Sequence, residues 1–124
     1  AASTIVMPKY TPNIADHHTG GYLGGLILHG GSYDEAYEEA LRLQKEENRV
    51  FVHPFDDELV MAGQGTIGLE LLEQNPYLEA VVLAVGGGGL AAGVAVAIKE
   101  TNPRIKVYGV ETAALPSMKR ALEA

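Results

Sequence analysis

Four consecutive glycines are the residues of this chain best suited to chemistry, and they stand in the run Val85-Gly86-Gly87-Gly88-Gly89-Leu90. Glycine accepts backbone conformations that other residues avoid, so this run can turn sharply and point several N–H groups at one bound group. A strand-like segment precedes the run and a helix-like segment follows it, and a helix N-terminus favours anions. The pattern indicates a phosphate site. The alternative is a tight strand-to-helix turn, for which one or two glycines would suffice.

A second cluster of polar and small residues follows the expected third strand, as His53-Pro54-Phe55-Asp56-Asp57 and then Ala62-Gly63-Gln64-Gly65-Thr66. Open α/β sheets bind ligands at the carboxyl ends of their strands, so one interpretation is a polar loop beside the phosphate site. The simpler interpretation is that Asp56 and Asp57 form a solvated turn and Thr66 caps a helix. Taken alone, the cluster favours the simpler interpretation.

Other catalytic chemistries find little support in the residues. The chain has no cysteine, which excludes disulfides, thiolate zinc sites and a cysteine nucleophile. No Gly-x-Ser-x-Gly elbow marks a serine hydrolase, and Leu90-Ala91 stands where a P-loop needs lysine followed by serine or threonine. A dinucleotide-binding fingerprint would follow the first strand, whereas these glycines follow the fourth.

Two adjacent histidines, in Asp16-His17-His18, could belong to a metal site if His53 or Asp56 completed it. Adjacent side chains point about 100° apart on a helix, so they rarely bind one ion. We therefore expect no metal at these histidines.

The composition bounds the class of protein. The chain has 124 residues, 47% hydrophobic and 20% charged, which is typical of one globular domain. Nine Lys and Arg against sixteen Asp and Glu give a net charge of -7, so we expect no nucleic-acid partner. The longest apolar run, near residues 90–98, is too short to span a bilayer, and no signal-peptide pattern opens the chain. We expect a cytoplasmic protein with no membrane partner.

Two periodicities alternate along the chain between glycine and proline residues. Continuous apolar runs predict strands buried on both faces, at residues 4–7, 26–28, 50–52, 80–85 and 106–110. Helical patterns lie between them, at residues 33–47, about 66–74, 90–100 and 116–123. In the first helix Ser32 and Glu35 form a capping box, and Glu38 and Arg42 an i,i+4 pair.

This alternation predicts an α/β fold with right-handed crossovers. We expect a single doubly wound, mostly parallel five-stranded sheet, arranged as a flavodoxin-like three-layer sandwich. Residues 1–124 would then form one domain.

Six segments resemble one family and occur in its order. They are Thr4-Ile5-Val6-Met7-Pro8 with Thr11-Pro12, Leu28-His29-Gly30 with Tyr33-Asp34-Glu35-Ala36, Val52-His53-Pro54-Phe55-Asp56-Asp57, Ala62-Gly63-Gln64-Gly65-Thr66-Ile67-Gly68-Leu69-Glu70, Val85-Gly86-Gly87-Gly88-Gly89-Leu90 and Gly109-Val110-Glu111. Over nearly the whole chain they resemble the threonine dehydratases (threonine ammonia-lyases), with serine racemase as a close relative. These are fold-type-II pyridoxal-phosphate enzymes.

The resemblance implies pyridoxal phosphate as the cofactor and assigns its phosphate to the amides of Gly86, Gly87, Gly88, Gly89 and Leu90. It also matches Glu111 to a carboxylate that helps some relatives bind a divalent cation. No partner acid is evident here, so we assign no metal to Glu111.

The resemblance also implies catalytic segments that these residues do not match. The family's Schiff-base lysine lies upstream, in a Ser-Phe-Lys-x-Arg-Gly-Ala motif, and its contact to the pyridine nitrogen lies downstream. None of the five lysines has that context; they are Lys9, Lys45, Lys99, Lys106 and Lys119. We therefore expect a fragment that keeps the phosphate loop and is catalytically inactive alone.

Departures from the family pattern concentrate at residues 15–25, which read Ala15-Asp16-His17-His18-Thr19-Gly20-Gly21-Tyr22-Leu23-Gly24-Gly25. The family usually has a basic residue, Ala-Thr-Arg and Gly-Ala-Glu there. In addition, Ala84 and Thr112 stand where the family commonly has proline. So many changes in one segment favour deliberate engineering over ordinary divergence.

Three functions are open from the sequence. The first is an autonomous α/β domain without catalysis, which keeps the loop for a phosphate-bearing small molecule. In a fragment, the surfaces that the missing segments would cover could instead be covered in a homodimer. The second is a part of an active ammonia-lyase, completed by the missing segments. The third is a flavodoxin-like scaffold whose altered face at residues 15–25 binds a metal or a protein.

Overall fold

A computed structural model of the protein describes residues 3–11 and 24–124. The chain divides into two compact units, Ala1–Phe51 and Val52–Ala124. The described elements of the first unit are β1 (Ser3–Met7), β2 (Gly24–Leu28) and α1 (Tyr33–Glu47). Those of the second are α2 (Glu58–Gln74), β3 (Ala80–Ala84), α3 (Gly89–Thr101), β4 (Lys106–Val110) and α4 (Ser117–Glu123).

In the first unit β1 and β2 pair in parallel, with Met7 opposite Leu28. Helix α1 has the bounds that the sequence predicts, because its ends carry strong local signals. Ser32 Oγ accepts a hydrogen bond from the backbone N–H of Glu35 at 3.3 Å, and the Glu35 carboxylate accepts one from the N–H of Gly31. At the other end Asn48 adopts the left-handed conformation that often terminates a helix.

The predicted ion pair of α1 is wrong. Arg42 pairs with Glu39 at 2.7 Å and with Glu46, rather than with Glu38. Carboxylates three residues before and four residues after an arginine lie on the same helical face, so both can reach one guanidinium.

In the second unit β3 and β4 pair in parallel, with Ala80 opposite Lys106 and Ala84 opposite Val110. The core of this unit lies between the sheet and the helices that cover one of its faces. Its most buried side chains are Val94 and Ile98 of α3, packed with Val81 of β3 and with Ile105.

The α/β class and the parallel pairing are confirmed, but the described residues do not form one five-stranded sheet. They form two sheets of two strands each. Residues 50–52, predicted as a strand, lie outside both sheets, and Val50 and Val52 are 90% and 66% exposed. A run of three β-branched and aromatic residues fits a strand locally, but pairing partners decide whether a strand forms. The single domain and its three layers remain predictions.

Helix α2 begins eight residues before the predicted position 66, because Asp57 is its N-cap. Thr66 therefore lies inside the helix, where its hydroxyl donates to the carbonyl of Gly63 at 2.9 Å. The prediction that Thr66 caps a helix is wrong. The other helices follow their predictions within one or two residues.

Most of the altered segment, including His17 and His18, lies outside the described residues. Within the residues described, no helix combines the length and the hydropathy that a membrane span requires.

Candidate phosphate-binding site

The glycine loop, defined as residues 86–90, joins the end of β3 to the start of α3. Gly88 is the N-cap of α3 and has φ 95° and ψ -14°, a left-handed conformation that strains residues with a Cβ. No side chain in residues 3–11 or 24–124 caps α3. Among the described residues, no acceptor takes up the N–H groups of residues 86–91. These donors are therefore free for a ligand.

One side of the loop lies against Phe55. A Cβ built on Gly87 would overlap the phenyl ring, and a Cβ on Gly89 would lie 2.8 Å from the Phe55 carbonyl oxygen. His53 fixes this segment, because its Nδ1 accepts from the N–H of Phe55 at 3.3 Å and of Asp56 at 2.8 Å. The segment that the sequence placed beside the phosphate site thus touches the loop through an apolar ring.

The carboxylate of Asp57 accepts hydrogen bonds from backbone N–H groups at the start of α2. Its Oδ1 accepts from the N–H of Leu59 at 2.8 Å and from the N–H of Val60 at 3.1 Å. Asp57 therefore caps a helix instead of forming part of a solvated turn, whereas Asp56 is exposed. The negative charge of Asp57 offsets the positive end of the α2 dipole.

Helices α2 and α3 meet backbone to backbone. A Cβ on Gly65 would lie 3.0 Å from the Gly93 carbonyl oxygen, and a Cβ on Gly68 would lie 3.0 Å from the Ala97 Cβ. Because contacts advance along both helices together, α2 and α3 run in the same direction. Their positive N-terminal ends therefore lie at the same end of the unit, one capped by Asp57 and the other uncapped.

Helix α4 contacts the loop from a second side. A Cβ built on Gly88 would lie 2.7 Å from Met118 Cε. Glu111 anchors the start of α4: its Oε1 accepts from the N–H of Met118 at 2.8 Å, and its Oε2 from the N–H of Lys119 at 2.9 Å. These hydrogen bonds lower the pKa of the Glu111 carboxyl. Within the described residues, no three metal-binding side chains come together.

An open cleft of about 750 Å³ lies at the carboxyl ends of β3 and β4. Its walls include Val85, which precedes the loop, together with Gly109 and side chains of α4. Met118 and Leu122 make one wall apolar, and Lys119 and Glu123 bring charge to its rim. The part that α4 takes in this region could not be predicted from the sequence, because its seven residues carry no motif.

Sequence comparison shows the family. Residues 1–124 match the family of pyridoxal-phosphate dependent enzymes. The chain belongs to this family of pyridoxal-phosphate dependent enzymes. It is 55% identical over 116 residues to an L-threonine ammonia-lyase of Thermotoga maritima, which covers 94% of this chain and 29% of that protein. It is 50% identical over 121 residues to an L-threonine ammonia-lyase of Geobacter sulfurreducens, or 98% of this chain and 30% of that protein.

Solved structures give the same result. The processed form of threonine deaminase isoform 2 from Solanum lycopersicum superimposes with a TM-score of 0.88 at 41% identity, covering 99% of this chain and 34% of that one. Maize serine racemase does so with a TM-score of 0.87 at 31% identity, covering 98% and 38%. The chain thus spans less than a third of the length of the two ammonia-lyases and little more than a third of these structures.

The family implies pyridoxal phosphate as the cofactor. The described residues fit its phosphate, because the glycine loop offers unpaired N–H donors at the positive end of an uncapped helix. They also leave space for it: a Cβ on Gly86 would have no neighbour within 4 Å.

Proposed function

We propose that this chain supplies the cofactor-phosphate site of a pyridoxal-phosphate-dependent threonine ammonia-lyase, with residues 86–90 as the binding loop. One contrast carries the proposal. Two parallel helices begin at the same end of the unit. Asp57 caps α2, whereas none of the side chains that the structure describes caps α3. A phosphate dianion supplies the negative charge and the acceptors that the start of α3 lacks.

Within this proposal each part of the loop has a role. The N–H groups of Gly89, Leu90 and Ala91 are the first of α3 and have no intrahelical acceptor, so they can donate to phosphate oxygens. Gly88 turns the chain so that the N–H groups before the helix can join them. Phe55 lies against the other side of the loop and covers the backbone of Gly89, which is buried. When bound, pyridoxal phosphate would supply the electron sink that stabilises negative charge on the substrate's α-carbon.

We propose further that this segment binds the cofactor but needs other segments for the reaction. The described contacts of its lysines support this. Lys99 Nζ donates to the carbonyl oxygens of Pro103 at 3.1 Å and Ile105 at 2.6 Å, and Lys119 Nζ lies 3.9 Å from a Glu123 oxygen. Lys9, Lys45 and Lys106 are exposed. To form the cofactor's Schiff base, a lysine must hold its amine next to the cofactor's aldehyde.

An amide NMR titration with pyridoxine 5′-phosphate tests the phosphate site. This ligand lacks the aldehyde, so it cannot form Schiff bases with surface lysines, and pyridoxine without phosphate is the matched control. We expect saturable shifts at residues 86–90 with the phosphate ester and none there with pyridoxine. A dispersed spectrum in which residues 86–90 do not shift would refute the site.

Two glycine variants sharpen this test. Gly88→Ala places a Cβ at φ 95° and against Met118, so we expect it to abolish the shifts. Gly63→Ala makes the same chemical change on α2, at a position with no neighbour within 4 Å, and should bind like the unchanged chain.

Complementation tests the need for other segments. We expect the chain alone to form no 2-oxobutanoate from threonine. Addition of the lysine-bearing remainder of an ammonia-lyase should restore product, and Gly88→Ala should prevent that restoration. Product formed by the chain alone would refute the need for other segments.

A further inference from the structure

Within the part of the chain that the structure describes, the side-chain hydrogen bonds that join the start of helix α4 to the end of β4 all involve Glu111. Glu111 follows β4 directly, and its carboxylate accepts from the N–H groups of Met118 and Lys119 and, at 3.4 Å, from the hydroxyl of Ser117. Pro116, the N-cap residue of α4, provides no side-chain hydrogen bond. A seven-residue helix is too short to be stable by itself. The hydrogen bonds to Glu111, which lies outside the helix, therefore fix where α4 begins.

The residue that Glu111 holds is also the one that contacts the glycine loop. Met118 is half-buried, and apart from Gly88 and its chain neighbours, its Cε is the one described atom within 4 Å of the position that a Cβ on Gly88 would take. Gly88 is the residue of the loop with positive φ, and its carbonyl accepts the first hydrogen bond of α3 from the N–H of Ala92 at 2.8 Å. A chain of contacts therefore runs from Glu111 through Met118 to the turn that starts α3.

The loop is thus held from two sides and open on a third. Phe55 lies against Gly87 and Gly89, Met118 lies against Gly88, and Gly86 faces open space. A glycine-rich turn that lacked such neighbours would sample many backbone conformations, because glycine loses the most conformational entropy on ordering.

We propose that Met118 and Glu111 are positioning residues for the glycine loop. Glu111 fixes the start of α4, and Met118 thereby holds Gly88 in the left-handed conformation that aims the first N–H groups of α3 at one point. The consequence for phosphate rests on the proposed function: a loop held in its binding conformation binds more tightly, because less of the binding free energy is spent on ordering it.

The test uses the full 124-residue chain and three variants. Met118→Ala removes the contact, Met118→Leu restores most of its apolar volume, and Leu122→Ala removes a similar volume from the same helix at a side chain that is 82% exposed. Two quantities are measured by NMR: the amide resonance of Gly88 without ligand, and the dissociation constant of pyridoxine 5′-phosphate. Melting temperatures are recorded for all variants.

We expect Met118→Ala to shift the Gly88 resonance and to weaken pyridoxine 5′-phosphate binding about three- to tenfold, in proportion to the fraction of loops that remain ordered. Met118→Leu should recover both quantities. Leu122→Ala should leave both unchanged, whatever it does to the melting temperature. An unchanged Gly88 resonance in Met118→Ala, or equal weakening in Leu122→Ala, would overturn the inference.

A second variant keeps the inference testable if Met118→Ala does not fold. Glu111→Gln preserves size but removes one of the two acceptor oxygens, so the resonances of Lys119 and Gly88 should move together. Movement of Lys119 without Gly88 would refute the coupling. If the unchanged chain fails to bind pyridoxine 5′-phosphate, the proposed function fails, while the ligand-free Gly88 resonance still decides the inference.

Discussion

The phenyl ring of Phe55 occupies the space that a side chain on Gly87 would need. One residue earlier, the corresponding space beside Gly86 is empty. The two neighbours therefore give a matched pair of substitutions, since neither has a positive φ.

We expect Gly87→Ala to lower the free energy of unfolding by about 1–3 kcal/mol, the usual cost of forcing an extra methyl group into a packed contact. Gly86→Ala should stay within about 0.5 kcal/mol of the unchanged chain, as is usual at open surface positions. Urea denaturation measures both. Equal stabilities would mean that Phe55 moves aside at no cost.

The backbone contact between α2 and α3 predicts a larger loss of stability for a substitution at Gly93. A Cβ on Gly93 would overlap the carbonyl of Met61 and lie 2.8 Å from the Gly65 nitrogen. Backbone atoms cannot rotate away as a side chain can, so we expect Gly93→Ala to destabilise by about 3 kcal/mol, at the upper end for overpacking.

Its control is Gly63→Ala, on the exposed side of α2. Alanine favours a helix over glycine, so this substitution should stabilise the chain by about 0.5–1 kcal/mol. Denaturant midpoints of the two variants should therefore move in opposite directions. A Gly93→Ala midpoint that does not fall would contradict the close approach of the helices.

Removal of the N-cap of α2 should lower the stability of the chain. Asp57→Ala removes the acceptor for the N–H groups of Leu59 and Val60, so we expect a loss of about 1 kcal/mol, typical of an N-cap. Asp57→Asn retains an acceptor and should recover most of it. Asp56→Ala, next in the chain and exposed, should change stability by less than about 0.5 kcal/mol. Thermal melts compare the three, and an equal loss at Asp56 would exclude capping as the cause.

The start of α1 should depend on pH. Hydrogen bonds from the N–H groups of Gly31 and Ser32 lower the pKa of the Glu35 carboxyl below its usual range. A lowered pKa means that the folded state favours the charged form. The stabilisation is therefore complete above the carboxyl pKa of the unfolded chain and is lost as the pH falls through the lower pKa of the folded state.

Carbon-detected titration of the Glu35 side chain, with amide exchange in the first turn of α1, measures this dependence. Glu35→Gln should remove the acid-induced loss of amide protection in that turn. Glu38→Gln removes the same charge from the same helix without touching the cap and should retain the loss. A Glu35 carboxyl that titrates at or above its usual range would contradict the hydrogen bonds.

Local signals in the sequence predicted helix α1, which begins with a capping box, and the short apolar strands β1 to β4. Ser32 and the strongly amphipathic pattern predicted both bounds of α1 correctly, and the four-glycine run located the turn between β3 and α3. Both depend on residues near in sequence. The segment at residues 50–52 shows the limit, because the same β-branched pattern there lies outside both sheets, with Val50 and Val52 exposed.

The start of α2 was missed for a related reason. Gly63, Gly65 and Gly68 lower the helix propensity, so the sequence predicts a helix only from about Thr66 onwards. Gly65 and Gly68 are required by the approach of α3, and this contact joins residues almost thirty positions apart. Phe55 and Met118 beside the glycine loop are tertiary contacts of the same kind, which no local pattern records.

The uncapped start of α3 has a kinetic consequence in a chain whose net charge is -7. At long range a dianion approaching the proposed site meets repulsion from the net negative charge of the chain, while within a few ångströms it meets the N–H donors at the start of α3. Salt screens the first interaction over a distance of about 8 Å at physiological ionic strength and leaves the second largely intact. The association rate of a phosphate ester should therefore rise on moderate addition of salt, opposite to the behaviour of a site lined by lysine and arginine.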